Sequence, residues 1–270
     1  MHGIAEELRR LPDDVLTCLG FFSRLPVKPR AGPFDLRASA GAWPLAGMAL
    51  AVAAGLVFLL ARAAGMPLLV AAVLALATLT LLTGGLHEDG LADAADGFGG
   101  GKTMASRLEI MRDSRLGAFG GLVLVFVLLL KAAALASVGA DPLAGLIALL
   151  AAAGISRAAA LWHWQDLPSA RTDGLAASVG IPEKNALYVA AATAGLLALV
   201  ALPLFGVSVL VALLLAGLVT AGFSALCRRM IDGHTGDTIG AAQQLAETAV
   251  LVGLSAGFTQ GIGGTTYLLV

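Results

Sequence analysis

The stretch GGLHEDGLADAADGFGGG, Gly84 to Gly101, follows a long apolar run and places one histidine and four carboxylates within ten positions. Helical residues advance about 100° each, so positions i, i+4 and i+7 share a face. Asp89, Asp93 and Asp96 have that spacing. Three carboxylates on one stripe repel one another, so the pattern makes sense around a positive charge. Oxygen-only ligands favour a hard cation, and Mg²⁺ commonly binds through one or two carboxylates plus substrate phosphates. Capping and a favourable first turn would explain Glu88 or Asp89 at a helix start. They do not explain Asp96. His87 and Glu88 point elsewhere if the helix includes them and can join the site if it begins near Asp89.

The next segment, SRLEIMRDSRLGAFGG, brings Arg107, Arg112 and Arg115 close to these acids in sequence, with Glu109 and Asp113 among them. The plain alternative is a solvated helix with ordinary ion pairs. The chemical reading is that guanidinium groups hold phosphate oxygens while the acids hold a metal, which outlines a phosphoryl-transfer site.

A second polar cluster, DGHTGDTIGAAQQLAET, runs from Asp232 to Thr248. Asp237 is expected to cap the last long helix, with Gln244 nearly below it. Glu247 is expected about 15 Å farther along, deep in the apolar layer, at 1.5 Å per residue. Lys131 and Arg157 also fall inside predicted spans. Charges inside a membrane face the bundle interior and pair, so Glu247 is expected to meet Lys131 or Arg157, as a structural lock or a functional group. His163, in LWHWQD, reads as an interfacial residue among tryptophans. His234 is open between a ligand contact and a loop position, and His2 is uninformative. Cys18 and Cys227 lack metal or redox spacing and read as small buried residues.

The elements that must position these groups are apolar. The 270 residues are 58% hydrophobic and 13% charged, with a mean hydropathy of +0.88. Soluble domains carry about 25% charged residues. A spanning helix needs roughly 20 apolar residues, and seven candidates are present: 42–64, 67–86, 117–140, 142–164, 185–206, 207–229 and 238–260. The expected fold is an all-α, polytopic membrane bundle forming one domain over 1–270. The segment 12–27, PDDVLTCLGFFSRLPV, is too short and charged to span and reads as an interfacial or half-inserted helix. The opening MHGIAEELRRLPDD is polar, so no secretory leader is expected there. Net charge is −1, which gives no bulk attraction to nucleic acid.

Seven spans in sequence gather Arg9, Arg10, Arg24, Lys28, Arg30, Arg37, Lys102, Arg107, Arg112, Arg115, Arg171, Lys184, Arg228 and Arg229 on one side, with Arg62 near the other. That asymmetry predicts the first side to be cytoplasmic. The acidic stretch, the loop 165–184 and DGHTGD lie on it, so the active site is expected there.

GGLHEDGLADAADGFGGG, then RLEIMRDSRLGAFG, then HTGDTIGAAQQLAE, together with FFSRLPV and WPLAGM near the start, resemble the cobalamin synthase family, the adenosylcobinamide-GDP ribazoletransferases. The resemblance runs in order from about residue 17 to 250. It implies that adenosylcobinamide-GDP is joined to α-ribazole, or its 5′-phosphate, with release of GMP, at a multi-pass bacterial inner-membrane protein in contact with lipid. Mg²⁺ is the implied metal, held by Asp89, Asp93 and Asp96 with help from Glu88. His87 or a carboxylate such as Asp89 would take the proton of the attacking hydroxyl. Arg107, Arg112 and Arg115 would neutralise leaving-group charge. Asp113, Thr235, Asp237 and Glu247 would complete the substrate pocket. The oligomeric state is open, a homo-oligomer included.

Two other classes share parts of this pattern. A CDP-alcohol phosphotransferase also uses helical aspartates and Mg²⁺, but Asp93 and Ala94 stand where its motif has Ala-Arg. An ion-coupled transporter would use Glu247, Lys131 and Arg157 as a pathway, with broken helices at midplane. The concentration of polar residues in one set of loops favours an enzyme.

Overall fold

A computed structural model describes residues 4–27, 35–260 and 266–268. His2, Lys28 and Arg30 lie outside the described residues. The first helix, α1 (Ile4–Phe22), buries Asp14, Cys18 and Phe22 on one stripe. It starts eight residues before the expected 12–27 segment and carries Pro12 inside it. Asp14 accepts a hydrogen bond from Ser39 Oγ at 3.1 Å, which ties α1 to the entry of the next helix.

Among the described residues, five helices are long and apolar enough to cross a membrane. They are Ala40–Ala63, which is a 3₁₀ turn leading into α2 (Trp43–Ala63), and α6 (Ala118–Val138), α7 (Pro142–Asp166), α9 (Lys184–Phe205) and α10 (Ser208–Ile231). Proline starts the first turn of α2 and of α7, where its missing N–H costs nothing. A sixth candidate is broken. Helix α3 (Leu68–Thr83) meets α4 (Leu86–Gly100) at 89°. The elbow is Gly84 and Gly85, at φ 65° and 74°, a left-handed conformation that glycine adopts without a Cβ clash. If α3 crosses the layer, α4 lies across its face rather than through it.

The remaining elements are α5 (Met104–Ile110), α8 (Leu175–Val179), α11 (Gly236–Ser255) and two short antiparallel strands, β1 (Phe258–Gln260) and β2 (Thr266–Leu268). Apart from these two three-residue strands the described elements are helical, as expected. The departure is α11. Expected as a seventh apolar span at 238–260, it ends at Ser255 and is not among the helices apolar enough to cross by composition. Asp237, Gln243, Gln244 and Glu247 make it polar. It tolerates them because α4, α6, α7 and α10 pack around it and most of its length is buried. Helix α10 shows the opposite pattern, with Leu210, Leu214 and Leu218 exposed on one stripe, as a lipid-facing helix requires.

Small residues let the central helices approach. A Cβ on Gly253 would come within 2.3 Å of Ala212 Cα, so α11 and α10 touch backbone to backbone there. The intramembrane charges pair as expected. Lys131 Nζ stands 2.9 Å from Glu247 Oε1 and also donates to Gln244 Oε1. Gln243 Nε2 donates to Glu247 Oε2 and to Ser156 Oγ. Arg157, the other candidate partner, donates to the Ala153 carbonyl at 3.0 Å. His163 corrects its interfacial reading. It is fully buried, with Nδ1 2.7 Å from Ser224 Oγ and Nε2 3.3 Å from Thr238 Oγ1. One ring thereby links α7, α10 and α11. Cys18 and Cys227 are both buried and free, as expected.

Candidate active site

Helix α4 lies against the start of α11. A Cβ on Gly90 would sit 2.7 Å from the Asp237 carbonyl oxygen, so glycine sets the approach of the two helices. The cap of α11 is Thr235 rather than Asp237. Thr235 Oγ1 accepts from Thr238 N at 3.2 Å while Thr238 Oγ1 accepts from Thr235 N at 2.9 Å. This reciprocal pair satisfies the orphan donors and releases Asp237, in the first turn, for other work. Thr235 Oγ1 also donates to Asp237 Oδ2 at 3.2 Å.

A third segment closes on the same place. Ala170 N donates to the His234 carbonyl and His234 N to the Pro168 carbonyl, both at 2.8 Å. This pairing draws the loop after α7 beside the α11 entry. It delivers Arg171, whose Nη1 stands 3.6 Å from Asp237 Oδ2 and whose Nη2 donates to the Leu108 carbonyl at 2.9 Å.

The result is a cluster of Asp89 and Asp93 from α4 and Asp237 from α11, faced by Arg171. Burial pushes the Asp93 carboxyl up to about 7, reinforced by Asp89, Asp237 and Asp96 and opposed by Arg171. Burial also raises Asp237, against the pull of Arg171 and the Thr235 hydrogen bond. The carboxyls crowd one another more than Arg171 offsets, a setting that a cation would relieve. Among the described residues no three His, Cys, Asp or Glu side chains close into a metal cage. The fit is to a hard cation that takes one or two carboxylates and completes its shell with phosphate oxygens.

The other expected site residues go elsewhere. Asp96 accepts from Gly117 N at 2.7 Å and Gly120 N at 2.9 Å, so both its oxygens anchor the first turn of α6. Helix α4 already includes His87 and Glu88, and both turn away from Asp93. Glu88 Oε1 accepts from Thr80 Oγ1 at 3.0 Å. His87 is buried, with its ring 5.5 Å from that of Phe22. Burial, with Arg157 nearby, pushes its imidazole down to about 3, so it is neutral at physiological pH. Arg107 donates to the Met230 carbonyl at 3.0 Å. Arg112 pairs with Asp173. Arg115 grips Asp113 with two nitrogens and holds its carboxyl down, to about 2. Arg112 and Arg115 are thus paired with aspartates outside the cluster, and Arg107 is bonded to a backbone carbonyl, so none of the three converges on the acids, and Glu247 is committed to Lys131.

Helix α4 separates two cavities. One, of about 200 Å³, is lined mainly by aromatic and apolar side chains together with His87, Asp89 and Asp237. The other, of about 630 Å³, is more open and carries Arg24, Glu88 and Asp89. Asp89 lines both. Arg171 and Arg24 were passed over as site residues in the sequence. Arg24 falls in FFSRLPV, which was read for its family likeness, Arg171 lies in no patterned motif, and the loop pairing that delivers Arg171 joins residues more than sixty positions apart.

The family model for cobalamin-5-phosphate synthase matches residues 14–255. Curated relatives named adenosylcobinamide-GDP ribazoletransferase cover nearly the whole chain. The one from Rhizobium etli (strain CIAT 652) is 45% identical over 250 residues, 90% of this chain and 96% of its own. The one from Azorhizobium caulinodans is 47% identical over 253 residues, 91% and 96%. The one from Brucella ovis is 45% identical over 250 residues, 89% and 95%. No solved structure matches the chain.

Proposed function

The chain belongs to the cobalamin-5-phosphate synthase family, and from that premise we propose how it acts as an adenosylcobinamide-GDP ribazoletransferase at the Asp89–Asp93–Asp237 cluster. The donor is adenosylcobinamide-GDP and the acceptor is α-ribazole or its 5′-phosphate. A ribose hydroxyl oxygen of the acceptor bonds to the phosphorus that stays with cobinamide. The bond from that phosphorus to the GMP oxygen breaks, and GMP leaves. The observation that carries this reading is the meeting of carboxylates from α4 and α11 beside Arg171, where the carboxyls crowd one another more than Arg171 offsets.

Asp93 and Asp237, with Asp89 beside them, are the residues that would hold Mg²⁺. When bound, the ion neutralises diphosphate charge and lets phosphate oxygens approach the carboxylates. Arg171 supports charge on the departing phosphate, the role expected from sequence for Arg107, Arg112 and Arg115. Asp89, on the wall between the two cavities, takes the proton of the attacking hydroxyl. His87, a neutral imidazole, faces the acceptor side. Arg24, in the open cavity, receives the donor.

In this reading α3 and α11 cross the membrane beside the five apolar helices, making seven crossings. The face carrying α4 is cytoplasmic, as the basic residues favour. The membrane is the bacterial inner membrane, with acyl chains against the exposed leucines of α10. The test is product analysis with purified protein in detergent, adenosylcobinamide-GDP, α-ribazole and Mg²⁺. Cobalamin and GMP in equal amounts are expected, and chelation should abolish both. Hydrolysis to GMP without cobalamin would overturn the assignment.

A further inference from the structure

The ring of His163 bonds two hydroxyls, and the donor inventory around it places its proton. Ser224 Oγ stands 2.7 Å from Nδ1 and has no other hydrogen-bond partner among the described residues. Its hydroxyl proton therefore points at Nδ1, which accepts. With Nδ1 accepting, the ring's one proton sits on Nε2 and is donated to Thr238 Oγ1 at 3.3 Å. Thr238 has room for it. Its own proton goes to the Thr235 carbonyl at 3.1 Å, and its oxygen accepts one other bond, from Thr235 N at 2.9 Å.

These bonds lie at the entry of α11, and what they hold is a residue of the carboxylate cluster. Thr235 Oγ1, in the reciprocal cap with Thr238, donates to Asp237 Oδ2 at 3.2 Å. Arg171 Nη1 approaches the same oxygen, at 3.6 Å. Both partners take Oδ2, and Oδ1 has no partner among the described residues. The loop that carries Arg171 is bonded to the backbone of His234, one residue before the cap. Asp237 and Arg171 thus both depend on residues 234–238. The His163 ring pins that segment to α7 and α10. It is wholly buried and lies 5.5 Å from the Phe223 ring.

We propose that His163 is a positioning residue of the carboxylate site. It touches no substrate; through Thr238 it holds the α11 entry so that Asp237 stays beside Arg171 with one carboxylate oxygen free. The proposal rests on the reading of Asp237 as a cation-holding residue. Partners that orient a metal ligand are commonly worth about ten- to a hundredfold in metal affinity. A leucine at 163 would fill much of the same space. It would offer Thr238 no donor and leave the Ser224 hydroxyl buried without a partner.

The experiment uses full-length protein in detergent. It reads Mg²⁺ binding by calorimetry with adenosylcobinamide-GDP present, amide hydrogen exchange over 233–240, and ¹⁵N spectra of histidine-labelled protein. The decisive pair is His163→Gln and His163→Asn. A glutamine amide reaches the place of Nε2 and can donate to Thr238. An asparagine amide reaches only the place of Nδ1, on the Ser224 side. Lost packing touches both variants, so the contrast between them reads the bond to Thr238. His163→Asn should weaken Mg²⁺ binding by about tenfold or more and speed exchange of the Thr238 amide, while His163→Gln should stay within about threefold of wild type in both. The wild-type spectrum, assigned by replacing the other three histidines in turn, should show His163 protonated at Nε2 and bare at Nδ1. This reads even if neither variant folds. A proton on Nδ1, equal effects of the two variants, or faster exchange in His163→Asn with unchanged Mg²⁺ affinity would each overturn the proposal. Wild-type protein that binds no Mg²⁺ but keeps the Nε2–H tautomer and the exchange contrast would uphold the His163 bond and overturn the cation reading instead.

Discussion

The Arg171 guanidinium stands 3.6 Å from the Asp237 carboxylate, although 65 positions separate the two residues in the chain and neither belongs to the acidic helix. Their meeting makes the site a junction of three segments. Arg171→Ala should lower the transfer rate by roughly 10²-fold, in the range of other lost charge-stabilising donors. Arg171→Lys should recover part of it, because an ammonium supplies charge without the fork. Steady-state rates with both substrates varied would check this. A rate unchanged in Arg171→Ala would return the leaving-group role to Arg112 or Arg115.

Asp96 separates fold from chemistry. Its oxygens hold two N–H groups at the start of α6. Asp96→Ala should therefore cost about 1–2 kcal/mol of stability, as lost helix caps do, and leave the Mg²⁺ requirement of folded protein unchanged. Thermal unfolding in detergent, beside a Mg²⁺ titration of activity, would check both. A large rise in the Mg²⁺ requirement would restore Asp96 to the metal set.

The Lys131–Glu247 pair is 2.9 Å long and almost wholly buried. Removing one partner leaves a charge uncompensated, so Lys131→Met alone should destabilise by about 3–5 kcal/mol. The double variant Lys131→Met, Glu247→Leu should recover much of that, because no lone charge remains. Denaturation of the two variants in one detergent would show it. Equal losses in the single and double variants would contradict the pairing.

Metal binding should depend on pH. Asp93 is raised from 3.8 to about 7, so between those values the folded protein holds a proton that the unfolded chain has lost. That group's contribution to stability therefore falls as pH rises through the window. A cation that takes the carboxylate must displace this proton. Apparent Mg²⁺ affinity should rise with pH up to about 7, by at most about tenfold per pH unit for one proton, and then level off. Calorimetry at several pH values reads this directly. A flat profile would mean that Asp93 is not a ligand.

Much of the architecture was legible because it rests on runs of apolar residues, which composition alone reveals. The expected 117–140 and 142–164 are α6 and α7 within a few residues. The elbow at Gly84 and Gly85 was not foreseen, since a glycine pair in sequence does not disclose an 89° bend. Helix α11 carries more polar residues than the other long helices because protein, not lipid, surrounds most of it. In the candidate site, Asp89 and Asp93 were singled out by helical spacing, and the fold sets both near Asp237. Asp96 shares that spacing, but its partners are backbone N–H groups, which periodicity cannot anticipate. The arginines were misread for a related reason: proximity in sequence put them near the acids, while Asp113, Asp173 and the Met230 carbonyl hold them elsewhere.

In the proposed site, Asp93 from α4 and Asp237 from α11, with Asp89 beside them, would hold the cation that meets the donor diphosphate. The most direct test is the Mg²⁺ dependence of transfer in Asp237→Asn, whose residue lies outside the acidic helix and in a separate segment. A Mg²⁺ requirement raised by tenfold or more, in the range of altered metal ligation, with a lower maximal rate, is the predicted result. An unchanged Mg²⁺ requirement in folded Asp237→Asn protein would exclude Asp237 from the cation site.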